Sequence, residues 1–143
     1  MLRIGVDFDG TIVSHEYPAI GKPVQGAIRW LRRLKKAGAV LILWTMRSDD
    51  GRQNTLTAAV EYCREQGLEF DAVNEGIDDR LWTSSPKVFA HVYVDDAAFG
   101  CPCRLDKSSG RPVVNWARVG PALLQQLHEL QESLVKEEDF EAH

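Results

Sequence analysis

The run Val40-Leu41-Ile42-Leu43-Trp44 is apolar at every position, so a strand built from it has no face to offer water. Such a strand belongs inside a parallel sheet with both faces covered, where the usual apolar/polar alternation is lost. A second apolar stretch, Leu2-Arg3-Ile4-Gly5-Val6, precedes it. Between the two, Val24, Ala27, Ile28, Leu31 and Leu34 recur at helical spacing behind Pro23, and Gly38 closes the pattern. The spacing predicts a βαβ unit, the building block of an α/β fold.

The alternation of strand and helix continues. Residues 54–66 place Leu56, Ala59, Val60 and Cys63 on one helical face and stop at Gly67. Residues 70–73 read as a third strand, and residues 88–94, rich in β-branched and aromatic side chains, as a fourth. Residues 103–106 and 112–114 read as short edge strands joined by the turn 107–110. Asn115 caps a turn, Pro121 opens a last helix through Leu123, Leu127, Leu130 and Leu134, and the acidic residues 137–143 read as a frayed end. The expected architecture is an α/β doubly wound, mostly parallel sheet with helices on both faces, in one domain spanning residues 1–143.

Composition narrows the function classes. A net charge of −4 leaves no basic footprint, which disfavours nucleic acid and favours a small ligand. No apolar run approaches the roughly 18 residues of a membrane span, and the N-terminus enters a strand instead of a signal pattern, so a cytoplasmic protein is expected. Cys63, Cys101 and Cys103 match neither a zinc nor a thioredoxin spacing and read as free thiols.

Chemistry concentrates at the strand ends. Asp7-Phe8-Asp9-Gly10-Thr11 follows the first strand, Thr45 and then Arg47 follow the second, Lys87 precedes the fourth, and Asp95-Asp96 end it. Ligands of an open α/β sheet bind outside the carboxyl ends of its strands, so these four segments converge on one crevice. Carboxylates beside a core need a compensating cation. Hard oxygen donors without a histidine or thiolate cluster favour Mg2+, and such a site suits a phosphoryl group.

In this order, D-F-D-G-T at residues 7 to 11, Thr45, Lys87 and the pair Asp95-Asp96 resemble the four motifs of the haloacid dehalogenase superfamily. The loop 15–21 is further similar to that of small bacterial hydrolases in the superfamily. The resemblance implies that Asp7 is the nucleophile forming an aspartyl-phosphate, and that Asp9 protonates the leaving oxygen and then deprotonates the attacking water. It implies that Thr45 binds phosphoryl oxygens and that Lys87 neutralises charge; Gly10, Thr11, His15 and Arg47, by their positions beside these motifs, are candidates for the substrate pocket. Mg2+ is expected on Asp7, the backbone carbonyl of Asp9 and Asp96, with Asp95 behind it; the sequence admits the reverse order of Asp95 and Asp96. An acid at position 9 points to phosphatase or mutase chemistry. About 33 residues separate Thr11 from Thr45 and about 41 separate Thr45 from Lys87, which leaves no room for a cap domain. The site is therefore expected to be open, or lidded by a neighbouring subunit of a homo-oligomer.

Plainer roles stand beside these. Arg47 fits a substrate contact or a pair with Asp49 or Asp50, His15 fits the pocket or a solvated loop, and His91 fits the fold. Trp30 and Trp44 are core candidates, while Trp82 is placed to reach the site. The basic run 32–36 reads as a solvated helix face. Other functions compatible with acids, Thr and Lys at strand ends are a receiver-like phosphoacceptor module, a catalytically silent phosphoryl-binding subunit and a phosphomutase.

Overall fold

The computed structural model describes residues 1–77 and 82–142. Strands β1 (Arg3–Val6), β2 (Val40–Leu43), β3 (Ala72–Val73) and β4 (Val92–Val94) form one parallel sheet in the order β3-β2-β1-β4. Helices α1 (Ala27–Lys36) and α2 (Thr55–Glu65) connect the first three strands. The strand order reverses between β1 and β4, and that reversal opens a crevice at their carboxyl ends. Among its described residues the connection 74–91 forms no helix.

Register explains the core. Ile4, Val6, Leu41 and Leu43 are fully buried on one face, against Ala27, Leu31 and Leu34 of α1. Burying each leucine contributes about 1.5–3 kcal/mol. On the other face Gly5 pairs with Tyr93, and a Cβ on Gly5 would come within 3.0 Å of the Tyr93 ring. The absence of a side chain lets the ring lie across β1.

Several boundaries differ from expectation, each because a specific bond intervenes. α1 begins at Ala27 and not at Pro23, because the Val24 amide donates to the Ile12 carbonyl at 2.9 Å and Gly26 turns the chain at φ 83°. β3 begins at Ala72 because the Asp71 carboxylate accepts the Leu41 amide in place of a backbone carbonyl. β4 begins at Val92 because the His91 ring nitrogen accepts the Arg3 amide, a structural role for this histidine.

The hairpin of β5 (Cys103–Asp106) and β6 (Arg111–Val114) forms a separate antiparallel pair, fastened to the motif loop by the Val114 amide donating to Gly10. Helix α3 (Trp116–Glu141) starts five residues before Pro121 and continues through the segment expected to fray. Packing overrides the proline: Trp116 is buried with its indole N–H on the Thr11 carbonyl, and Gly120 sits so close to Trp30 that a Cβ would lie 2.2 Å from the ring. Trp116 is the deeply buried tryptophan, whereas Trp30 and Trp44 are only half-buried. Among the described residues no helix is long and apolar enough to cross a membrane.

Candidate active site

The Asp7 amide donates to the Val94 carbonyl at 2.9 Å, extending the β1–β4 ladder one step and placing Asp7 at the point where the strand order reverses. Asp95 and Asp96 follow β4 directly. One carboxylate oxygen from each of Asp7, Asp95 and Asp96 lies within 4.8 Å of the other two. Burial pushes the Asp7 carboxyl up to about 8, and the negative charges of Asp95 and then Asp96 add to it. Three hard oxygen donors crowded beyond what their own charges tolerate fit a divalent cation such as Mg2+. The Asp9 carboxylate is not in this group.

Asp96 is held from two sides. His15 Nε2 lies 2.9 Å from its Oδ2, and the buried Thr11 hydroxyl donates to its Oδ1 at 3.4 Å. Thr11 has no exposed surface, which corrects its expected place in the substrate pocket, and His15 is half-buried against Asp96 and is not a solvated loop residue. Gly10 makes the approach possible. With φ at 80°, a Cβ there would meet His15 Nε2 at 2.2 Å and the Asp96 carboxylate at 2.5 Å. Gly10→Ala should therefore displace His15 and the Asp96 carboxylate, and with them any thermal stabilisation by added Mg2+, in addition to costing about 1–2 kcal/mol of backbone strain. Gly110→Ala, with φ 71° and nothing within 4 Å, should cost the strain alone. Equal metal responses in the two variants would contradict the close packing at Gly10.

Arg47 is the largest departure from expectation. It pairs with neither Asp49 nor Asp50 and offers nothing to a substrate, being 1% exposed. Its Nε and Nη2 donate to the two oxygens of Asp9 at 2.8 and 2.7 Å, a bidentate pair. The remaining donors go to the carbonyls of Pro18, Ala19 and Thr55, and the guanidinium lies between the rings of Phe8 and Tyr17. One side chain thus joins Asp9 to the loop at Pro18 and to the start of α2.

Thr45 stands at the end of β2, half-buried, with its hydroxyl accepting the Arg47 amide and its own amide donating to Asn74 Oδ1 at 2.8 Å. Asn74 was not singled out by sequence reasoning. It adopts φ 53°, which asparagine tolerates, and its side-chain NH2 also donates to the Arg47 carbonyl, so it staples the 45–47 turn to β3. The ammonium of Lys87 is 5.3 Å from the centre of the Tyr93 ring. Tyr93 pairs with Gly5 of β1, two residues before Asp7.

Tyr17 and Met46 flank Arg47 and are 61% and 97% exposed, while Trp82 is 77% exposed. The three cysteines are free. Burial holds Cys63 up at about 12 and Cys101 at about 11, so neither is a ready nucleophile at neutral pH.

No protein-family model and no curated protein matches the sequence. Among solved structures, a conserved protein from Bacteroides thetaiotaomicron is similar at 32% identity and a TM-score of 0.71, over 87% of this chain and 91% of that one.

Proposed function

The chain belongs to the same family as the conserved Bacteroides thetaiotaomicron protein, and on the chemistry of its site we propose that it is a magnesium-dependent phosphohydrolase of the haloacid dehalogenase type. It removes a phosphoryl group from a phosphomonoester through an aspartyl-phosphate at Asp7. The observation that carries this reading is the carboxylate triad at the reversal of strand order, with a second acid, Asp9, fixed two residues after Asp7. In this reading the sheet is doubly wound, no cap covers the mouth, and the protein works in the cytoplasm.

Asp7, Asp95 and Asp96 would hold Mg2+, which supplies charge neutralisation for Asp7 and for the phosphoryl oxygens when bound. The chain's own residues do the rest. An oxygen of Asp7 attacks phosphorus, and the bond to the leaving oxygen breaks. Asp9 gives that oxygen a proton and later takes one from the water that cleaves the aspartyl-phosphate. Arg47 occupies one lone pair on each Asp9 oxygen, and a carboxylate has about four such sites, so the outward ones remain for proton exchange. In this reading Thr45 would bind phosphoryl oxygens and Lys87 would neutralise their charge.

Asp7→Asn should abolish Mg2+-dependent turnover of p-nitrophenyl phosphate while keeping the circular dichroism of the parent. Undiminished turnover in that variant would sink the nucleophile assignment. A phosphorylated form persisting for minutes without release of phosphate would instead favour a receiver-like module.

A further inference from the structure

Two features at the opposite end of the sheet from Asp7 remain unaccounted for. The first is a groove of about 610 Å³ between α1 and the end of α2, lined by Arg29, Arg32, Arg33, Lys35 and Lys36, with Leu68 at its floor. In a chain of net charge −4 this is a concentrated positive patch. Lys35 reaches Asp71 at 3.9 Å, and Arg29 and Arg33 lie on the Trp30 ring. Among the described residues no carboxylate comes within ion-pair distance of Arg29, Arg32, Arg33 or Lys36.

The second is the end of α3. This helix runs alongside α1 in the same direction, with Trp116 at Gly26, Gly120 at Trp30 and Gln131 donating to the carbonyl of Ala37, the residue that follows α1. α1 stops there, whereas α3 continues for ten more residues to Glu141, an overhang of about 15 Å. The stripe Leu123, Leu127, Leu130, Leu134 begins buried and runs off the domain: Leu127 is 1% exposed and Leu134 44%. Val135 and Phe140 are exposed with it. The overhang also carries Glu132, Glu137, Glu138, Asp139 and Glu141 against the lone cation Lys136.

An acidic helix with uncovered apolar residues and a basic groove floored by leucine are complementary in both charge and polarity. They do not meet within one chain, because the overhang leaves α1 behind while the groove lies along its flank. We propose that the α3 overhang of one copy docks in the basic groove of a second copy, in a two-fold exchange that makes the protein a homodimer. A two-fold operator satisfies both features in both copies and closes the assembly. Because α1 ends where the strands begin, the dimer leaves the carboxylate triad uncovered, and the second copy is not a lid.

Sedimentation of the full chain should give twice the 16.1 kDa monomer mass at low salt. The mass should fall toward the monomer near about 1 M salt, where the Debye length is about 3 Å. Arg32→Glu with Lys36→Glu should yield a folded monomer, as should Glu138→Arg with Glu141→Arg. Mixing the two charge-reversed proteins should restore a species of twice the monomer mass, since the unaltered groove then faces the unaltered overhang and the reversed groove faces the reversed overhang. A monomeric parent, a dimer indifferent to both pairs of substitutions, or monomers that do not recombine on mixing would each overturn the proposal. Circular dichroism of each variant separates failure to fold from failure to associate.

Discussion

Metal-free protein is expected to lose stability as the pH rises from about 4 to about 8, and Mg2+ should restore most of that loss. The Asp7 carboxyl titrates near 8 in the folded state against an ordinary 3.8, chiefly because it is buried and secondly because Asp95 and Asp96 face it. Between those values the folded chain keeps a proton that the unfolded chain has released. Stability therefore falls with rising pH across that window, and the slope vanishes below the lower value and above the upper one. One pKa unit is worth about 1.4 kcal/mol, and because the three carboxylates share the strain the expected loss is about 2–4 kcal/mol by pH 8.

Asp49, Asp50 and Asp106 have carboxyls held below their ordinary value by local hydrogen bonds, and they act below this window with the opposite sign. Denaturant titrations at pH 5 and pH 8, in EDTA and in Mg2+, read the effect. Asp7→Asn should flatten the metal-free slope and be the more stable protein at pH 8. Identical pH slopes in parent and variant would show that Asp7 does not carry the excess charge. Since a ligand that binds only the folded state stabilises it by mass action, Mg2+ should also help more at pH 8 than at pH 5.

The sheet was legible in the sequence because its information is local. The apolar run at 40–44 and the helical spacing ahead of it specify a βαβ unit whatever else the chain does. The convergence of Asp7, Asp95 and Asp96 followed from placing acids at strand ends. What escaped depends on partners far apart in the chain. Arg47 and Asp9 are separated by 38 positions and His15 and Asp96 by 81, so spacing along the sequence gave no sign of either pair. Nearby Asp49 and Asp50 were better local candidates for Arg47, yet Asp49 instead receives the Thr57 amide and hydroxyl near the start of α2, and Asp50 receives the amides of Arg52 and Gln53. The starts of α1 and α3 were misplaced for the same reason: prolines suggested a beginning, and long-range bonds at Val24 and Trp116 decided otherwise.

Arg47→Met should destabilise the protein by about 3–5 kcal/mol, the range for removing one partner of a buried ion pair. The loss arises from Asp9 and from the hydrogen bonds that the guanidinium gives to the carbonyls of Pro18, Ala19 and Thr55. Arg47→Lys separates charge from geometry. A lysine keeps the positive charge but not the planar fork, so it cannot bind both Asp9 oxygens and the carbonyls together. On the proposed reaction, Arg47→Lys should lower kcat about 10- to 100-fold through misplacement of Asp9, with KM little changed. The reasoning is steric: at 1% exposure Arg47 has no surface with which to touch substrate, so it is a positioning residue acting through Asp9. A change confined to KM would show that Arg47 reaches the substrate after all. Asp9→Asn should disable proton transfer while leaving Arg47 an acceptor, and therefore cost less stability than Arg47→Met. Because Arg47 and Asp9 act as one unit, the kcat losses of Arg47→Lys and Asp9→Asn should not multiply when combined.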